Sequence, residues 1–154
     1  MKTSDFSRFL TQYLTHYLPV QRNLSSNTIR SYRDTFKLLL IFCRDEKGLN
    51  IAKLNLAKLD KKCIEDFLLW LTNTRGSSPS TYNQRLCAIH AFFAYVMTEE
   101  PAYMEQCILI SNIPSMVSPA PPAQYLTPEK LKHLLSMPDT STAKGRRHLV
   151  LLTV

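Results

Sequence analysis

The sequence predicts an all-α protein, and three observations carry that prediction. Glycine occurs only at Gly48, Gly76 and Gly145 in 154 residues. The β-branched alternation of a strand is scarce. Apolar residues instead recur at three- and four-residue intervals behind Ser, Asp and Pro start signals. With 45% hydrophobic residues, a chain of this length buries one core and carries the beginning of a second.

The first helix is expected from about Asp5 to Leu18, with Phe6, Phe9, Leu10, Tyr13, Leu14 and Tyr17 on one stripe. Pro19 is expected to stop it, because proline lacks the N–H a helix interior needs. The second helix begins at Ser25 or Ser26, a residue type whose hydroxyl caps an orphan backbone N–H, and runs to about Lys47 before Gly48. Its inward side is Ile29, Tyr32, Phe36, Leu39, Leu40 and Cys43. After a connector, Leu49 to Leu59, Asp60 caps a third helix carrying Ile64, Phe67, Leu68, Trp70 and Leu71, which Gly76 ends.

Ser78 followed by Pro79 opens the fourth helix, since proline at the first helical position gives up no hydrogen bond. It runs to about Thr98, with Tyr82, Leu86, Ile89, Phe93 and Val96 on an apolar face and polar residues opposite. A shorter helix follows Pro101 through Ile110. From Cys107 to Gln124 no residue is charged, and Pro114, Pro119, Pro121 and Pro122 favour extended, semi-rigid chain. Beyond it, Thr127-Pro128-Glu129 opens another helix closed by Pro138, and Thr142 to Val154 forms one more. The expected organisation is a helical domain over residues 1–111, a proline-rich linker over 112–124, and the start of a second domain over 125–154. The apolar run Leu149 to Val154 lacks a cap or polar end, so the chain reads as a truncated piece of a longer one.

A formal charge of +7, without a polybasic tail, implies a basic surface on a folded body and makes nucleic acid a candidate partner. There is no secretory leader and no apolar run of spanning length, so the expectation is a cytoplasmic protein without a membrane partner. Cys43, Cys63, Cys87 and Cys107 show no C-x-x-C pairing and are expected to be buried free thiols. His16, His90, His133 and His148 have no metal-ligand spacing, so neither a metal nor another cofactor is expected.

On the second helix Arg30, Arg33 and Lys37 share one face. On the fourth, Thr81, Gln84, Arg85 and Ala88 share another, bordered by Ser80 and Asn83. Near helix N-termini such side chains suit DNA: Arg reads guanine, Asn and Gln read adenine, and Ser or Thr holds phosphate. Spacing by itself describes a solvated helix face at least as well.

Two phrases add more. Ser25-Ser26-Asn27-Thr28-Ile29-Arg30-Ser31-Tyr32-Arg33, and the run from Ser80-Thr81-Tyr82-Asn83-Gln84-Arg85-Leu86 to Phe93-Ala94-Tyr95, resemble the core-binding domain of tyrosine recombinases of the phage-integrase class. Tyr125-Leu126-Thr127-Pro128-Glu129-Lys130-Leu131 resembles the opening of that family's catalytic domain. The resemblance implies a SAM-like core-binding bundle of four to five helices, then a linker and the first helices of a truncated catalytic domain. It implies DNA contacts from Thr28, Arg30, Ser31 and Arg33 on one helix and from Ser80, Thr81, Gln84 and Arg85 on the other. Arg30 and Arg85 are both expected to face solvent. The implied partners are double-stranded DNA and other recombinase protomers assembled on it.

The chain departs from the family in its uncharged linker. The family's catalytic cations and tyrosine nucleophile fall beyond residue 154, so no catalytic residue is assigned and the chain alone is expected not to be an enzyme. Its parent would perform DNA integration and recombination. Two alternatives stay open. One is a helical interaction module binding a protein through the first helix or the Leu149 to Val154 end. The other is a stand-alone DNA-binding regulator.

Overall fold

In the computed structural model, residues 4–117 and 126–153 are described. Among them there are seven α-helices and no strand. The chain forms two compact units, Met1–Ser118 and Pro119–Val154.

The first unit starts with α1, Asp5–Gln12, capped by Ser4, whose hydroxyl accepts from the Ser7 N–H. Helical chain does not stop at Pro19 as its missing N–H suggests. It continues in π geometry over Tyr13–Gln21 with Pro19 inside. The wider turn relieves the clash of the proline ring with the preceding turn. The stop comes two residues later, where Arg22 donates to the Tyr17 carbonyl at 3.0 Å and Asn23 turns to φ 47°.

Helix α2, Ser26–Asp45, is capped by Ser25 and closes at Gly48, whose φ of 62° suits glycine. The connector folds into two short 3₁₀ turns, Ile51–Lys53 and Leu56–Lys58, which bury Leu54, Leu56 and Leu59. Helix α3, Lys61–Asn73, is capped by Asp60. Helix α4, Pro79–Glu99, is capped by Ser78 with Pro79 in its first turn. A 3₁₀ turn, Pro101–Tyr103, leads into α5, Met104–Ser111.

Helix α4 is the central element, packed against α2, α3, α5 and the turn before α5. Phe92 is its hub: the ring lies 5.9 Å from Phe6, 5.3 Å from Tyr13, 5.0 Å from Phe36 and 5.4 Å from Phe93, mostly edge to face. A second cluster, Phe42, Phe67 and Trp70, joins α2 to α3, where Lys47 also meets Asp66 at 2.6 Å. Asp5 ties the first helix down. Its carboxylate accepts from the Leu56 N–H at 3.0 Å and from the Tyr103 hydroxyl at 2.7 Å. Phe6 and Phe9 of α1 are buried in the core.

The packed unit continues past residue 111. Ile113 is 4% exposed, and the Met116 backbone is hydrogen bonded to α4. Of the expected linker, residues 118–124 lie outside the described residues.

In the second unit, Thr127 caps α6, Pro128–Ser136, and α7 spans Ala143–Thr153. Gly145 sits where the Asp139 backbone leaves no space for a Cβ. Val150, Leu151 and Leu152 are exposed among the described residues of the terminal apolar run. No helix among the described residues is long and apolar enough to cross a membrane.

Candidate nucleic-acid interface

The first turns of α2 and α4 are built alike. In each, a serine cap accepts from the N–H three residues on, at 3.3 Å, and its hydroxyl also touches a threonine hydroxyl there. The pairs are Ser25 with Thr28 at 3.0 Å and Ser78 with Thr81 at 3.1 Å. The other N–H groups of a first turn have no acceptor inside the helix, and the helix dipole adds positive potential there. Tertiary packing then brings the two helices together. The Gln84 side-chain amide donates to the Ser31 hydroxyl at 3.0 Å across the α2–α4 seam.

An open groove of about 440 Å³ runs along this seam, lined by Asn27, Thr28, Ser31, Tyr32, Gln84 and Cys87. Burial, and next the neighbouring Cys87 thiol, push the Tyr32 phenol above its ordinary value, so it stays neutral in the groove wall. A smaller hollow of about 240 Å³ is lined by Ser26, Ile29, Arg30 and Arg33. Lys37 continues the exposed basic side of α2, with Asp34 3.9 Å away. Exposed ion pairs of that length constrain little, so the three cations remain available to anionic ligands.

The ten sequence-predicted residues thus separate by what holds them. Thr28, Ser31 and Gln84 converge on one groove, and Arg30, Arg33 and Lys37 are exposed on the same helix as two of them. Ser80 is exposed on the first turn of α4, and Thr81 is half-buried beside its cap. Asn83 and Arg85 are engaged within the protein. The Asn83 amide accepts from the Met116 N–H and donates to the Met116 carbonyl, both at 2.8 Å.

Arg85 does not face solvent as expected. Its half-buried guanidinium donates to the Ser31 carbonyl and to the Thr35 hydroxyl, both at 3.0 Å. Thr35, 1% exposed, is the buried polar residue of α2 and itself donates to the Ser31 carbonyl at 3.0 Å. Ala88 on the same side of α4 is 1% exposed. That side of α4 is open at Gln84 and closes against the rest of the bundle toward Arg85 and Ala88, because α4 has neighbours on more than one flank.

Asn27, Tyr32 and Cys87 line the groove without having been assigned to it. Helical spacing carries the signal, since Asn27 lies one turn before Ser31 and Cys87 nearly one turn after Gln84. Cys87 also corrects the expectation of four buried thiols: all four are free, but it is exposed while Cys43, Cys63 and Cys107 are buried.

Residues 10–100 match the family described as phage integrase, N-terminal SAM-like domain. Over 153 residues the chain is 36% identical to a Sinorhizobium fredii protein described as integrase/recombinase y4rC, covering 99% of this chain and 46% of that one. A second protein of that organism, described as integrase/recombinase y4rD, is 32% identical over 90% of this chain and 49% of its own length. Tyrosine recombinase XerD of Listeria monocytogenes is 26% identical over 94% of this chain and 46% of its own length. The chain therefore spans about half the length of the curated relatives it matches. No solved structure matches it.

Proposed function

The chain belongs to the phage integrase N-terminal SAM-like family, and from that premise we propose that its first unit grips duplex DNA with the N-terminal halves of α2 and α4. The observation that carries this reading is the junction of two similarly capped helix N-termini across the Ser31–Gln84 hydrogen bond, beside the exposed Arg30, Arg33 and Lys37. Side by side, two such N-termini offer backbone N–H groups to phosphates, and the cations add long-range attraction.

Thr28, Ser80 and Thr81 are assigned to phosphate, through hydroxyls and first-turn amides. Arg30, Arg33 and Lys37 are assigned to phosphate or to base edges beside it. Ser31 and Gln84 face the groove, where an amide can pair with adenine. Asn83 and Arg85 are assigned supporting roles, since both amide atoms of Asn83 and the Nη1 of Arg85 already have protein partners.

The chain spans about half the length of the relatives it matches, and for the whole protein the proposal is site-specific DNA integration or recombination by protomers assembled on DNA. Such a protein works where the cell's DNA is, in keeping with a cytoplasmic location. A DNA-binding regulator lacking strand exchange would use the same contacts.

The experiment is fluorescence anisotropy of labelled duplex with the purified chain over a range of salt, together with selection from a pool of random duplexes. The expected result is affinity that falls linearly on a log–log salt plot, with enrichment of a short motif. Absence of binding at low salt, or binding insensitive to salt, contradicts the proposal and favours a protein-interaction module.

A further inference from the structure

Asn83 sits in the sequence among residues that fit base reading, yet both polar atoms of its side chain grip one backbone unit. Met116 donates its N–H to Asn83 Oδ1 and accepts from Asn83 Nδ2, each at 2.8 Å. The segment it grips is the one that leaves the first unit. Helix α5 ends at Ser111, and Ile113, 4% exposed, is the last buried apolar anchor. Met116 is 40% exposed and Val117 91% exposed, so apolar burial does not hold the chain after Ile113. The Asn83 amide does.

An amide that binds the N–H and the C=O of one residue fixes that residue's peptide planes as well as its position. Ile113 and Met116 together then define a direction, from the end of α5 to the N-terminal part of α4, next to Gln84. The sequence that follows contains Pro119, Pro121 and Pro122.

We propose that Asn83 is a positioning residue that clasps the segment after α5 to α4, so that the chain leaves the first unit beside the α2–α4 seam instead of at the end of α5. The functional side of this inference rests on the DNA reading above, while its geometric side does not. Held there, the Met116 segment stays next to the seam residues of α4. Asn83 would then influence DNA binding by the joined chain without touching a base.

The test uses the whole chain with nitroxides on the naturally exposed Cys87 and on Val117→Cys, an exposed site one residue past the clasp, and reads the distance distribution between them. Asn83→Ala should broaden the distribution. Asn83→Asp, which keeps the acceptor for the Met116 N–H, should fall between it and the unaltered chain, and also serves if the alanine variant folds poorly. In unlabelled protein, Asn83→Ala should leave the base preference selected from random duplexes unchanged. Equal distributions in all three proteins overturn the proposal. So does loss of preference at a single base position, which would make Asn83 a base reader. If the unaltered chain binds no duplex, the DNA reading fails, and the distance distributions still decide the clasp.

Discussion

Arg30 and Arg85 carry the same guanidinium in very different surroundings. Arg30 is exposed beside Arg33, whereas Arg85 is half-buried and bonded to the Ser31 carbonyl and the Thr35 hydroxyl. Replacing each by alanine should therefore separate two effects. Arg30→Ala should leave the denaturation midpoint nearly unchanged and reduce the salt slope of DNA binding by about 0.9, the value of one lost phosphate contact. Arg85→Ala should instead cost about 1 to 3 kcal/mol in urea unfolding, because it removes the donor to the buried Thr35 hydroxyl between two helices. Phe93→Ala, at a position 2% exposed, should cost about 3 to 5 kcal/mol by the same measurement. The Phe93 environment was legible in the helical period of its apolar neighbours. That of Arg85 was not, because spacing places a residue on a helix side without saying whether water or a second helix lies there. Thr35, to which Arg85 donates across the seam, is buried, and a polar residue type does not signal burial.

At the level of elements, hydrogen-bond chemistry at the helix starts was the most readable part of the sequence. Ser25, Asp60, Ser78 and Thr127 all cap the helices expected of them, each accepting from a backbone N–H three residues on. Ser25→Ala and Ser78→Ala should each lower stability by about 1 kcal/mol, read as a shift in denaturation midpoint. If either change is neutral, water or the neighbouring threonine hydroxyl replaces the cap. The first helix's end was misplaced for a physical reason. Pro19 forbids an ordinary α-helical hydrogen bond, and the chain answers with a π segment over Tyr13–Gln21 rather than a break. Tyr13, fully buried against Phe92 and Tyr95, shows what continuing the helix secures. Such a tertiary preference is invisible in a local propensity.

Across the whole molecule, Asp5 joins ends of the first unit that are far apart in sequence, bonding Leu56 and Tyr103 at once. Its hydrogen bond to Tyr103 is the main reason the Tyr103 phenol is pushed up to about 12, with burial second. The folded value lies above the ordinary one near 10, so the fold favours the protonated phenol. That contribution is fully present below about pH 10 and is lost as the pH rises toward about 12. Thermal unfolding across this window should show a fall in stability that Tyr103→Phe flattens. An unaltered fall in the variant would assign it to other groups. The uncharged, proline-bearing stretch made a two-part organisation the expectation, and burial of Ile113 and the Asn83 hydrogen bonds carry the first unit past its last helix. The central claim is that the α2–α4 seam is the surface that meets DNA. Backbone amide chemical-shift mapping during titration with duplex tests it most directly. Shifts concentrated at residues 26–31 and 80–84, with α5 and the second unit little changed, are the predicted result. Shifts concentrated on Met104, Ile108 and Leu109 of α5, with the seam silent, would contradict it.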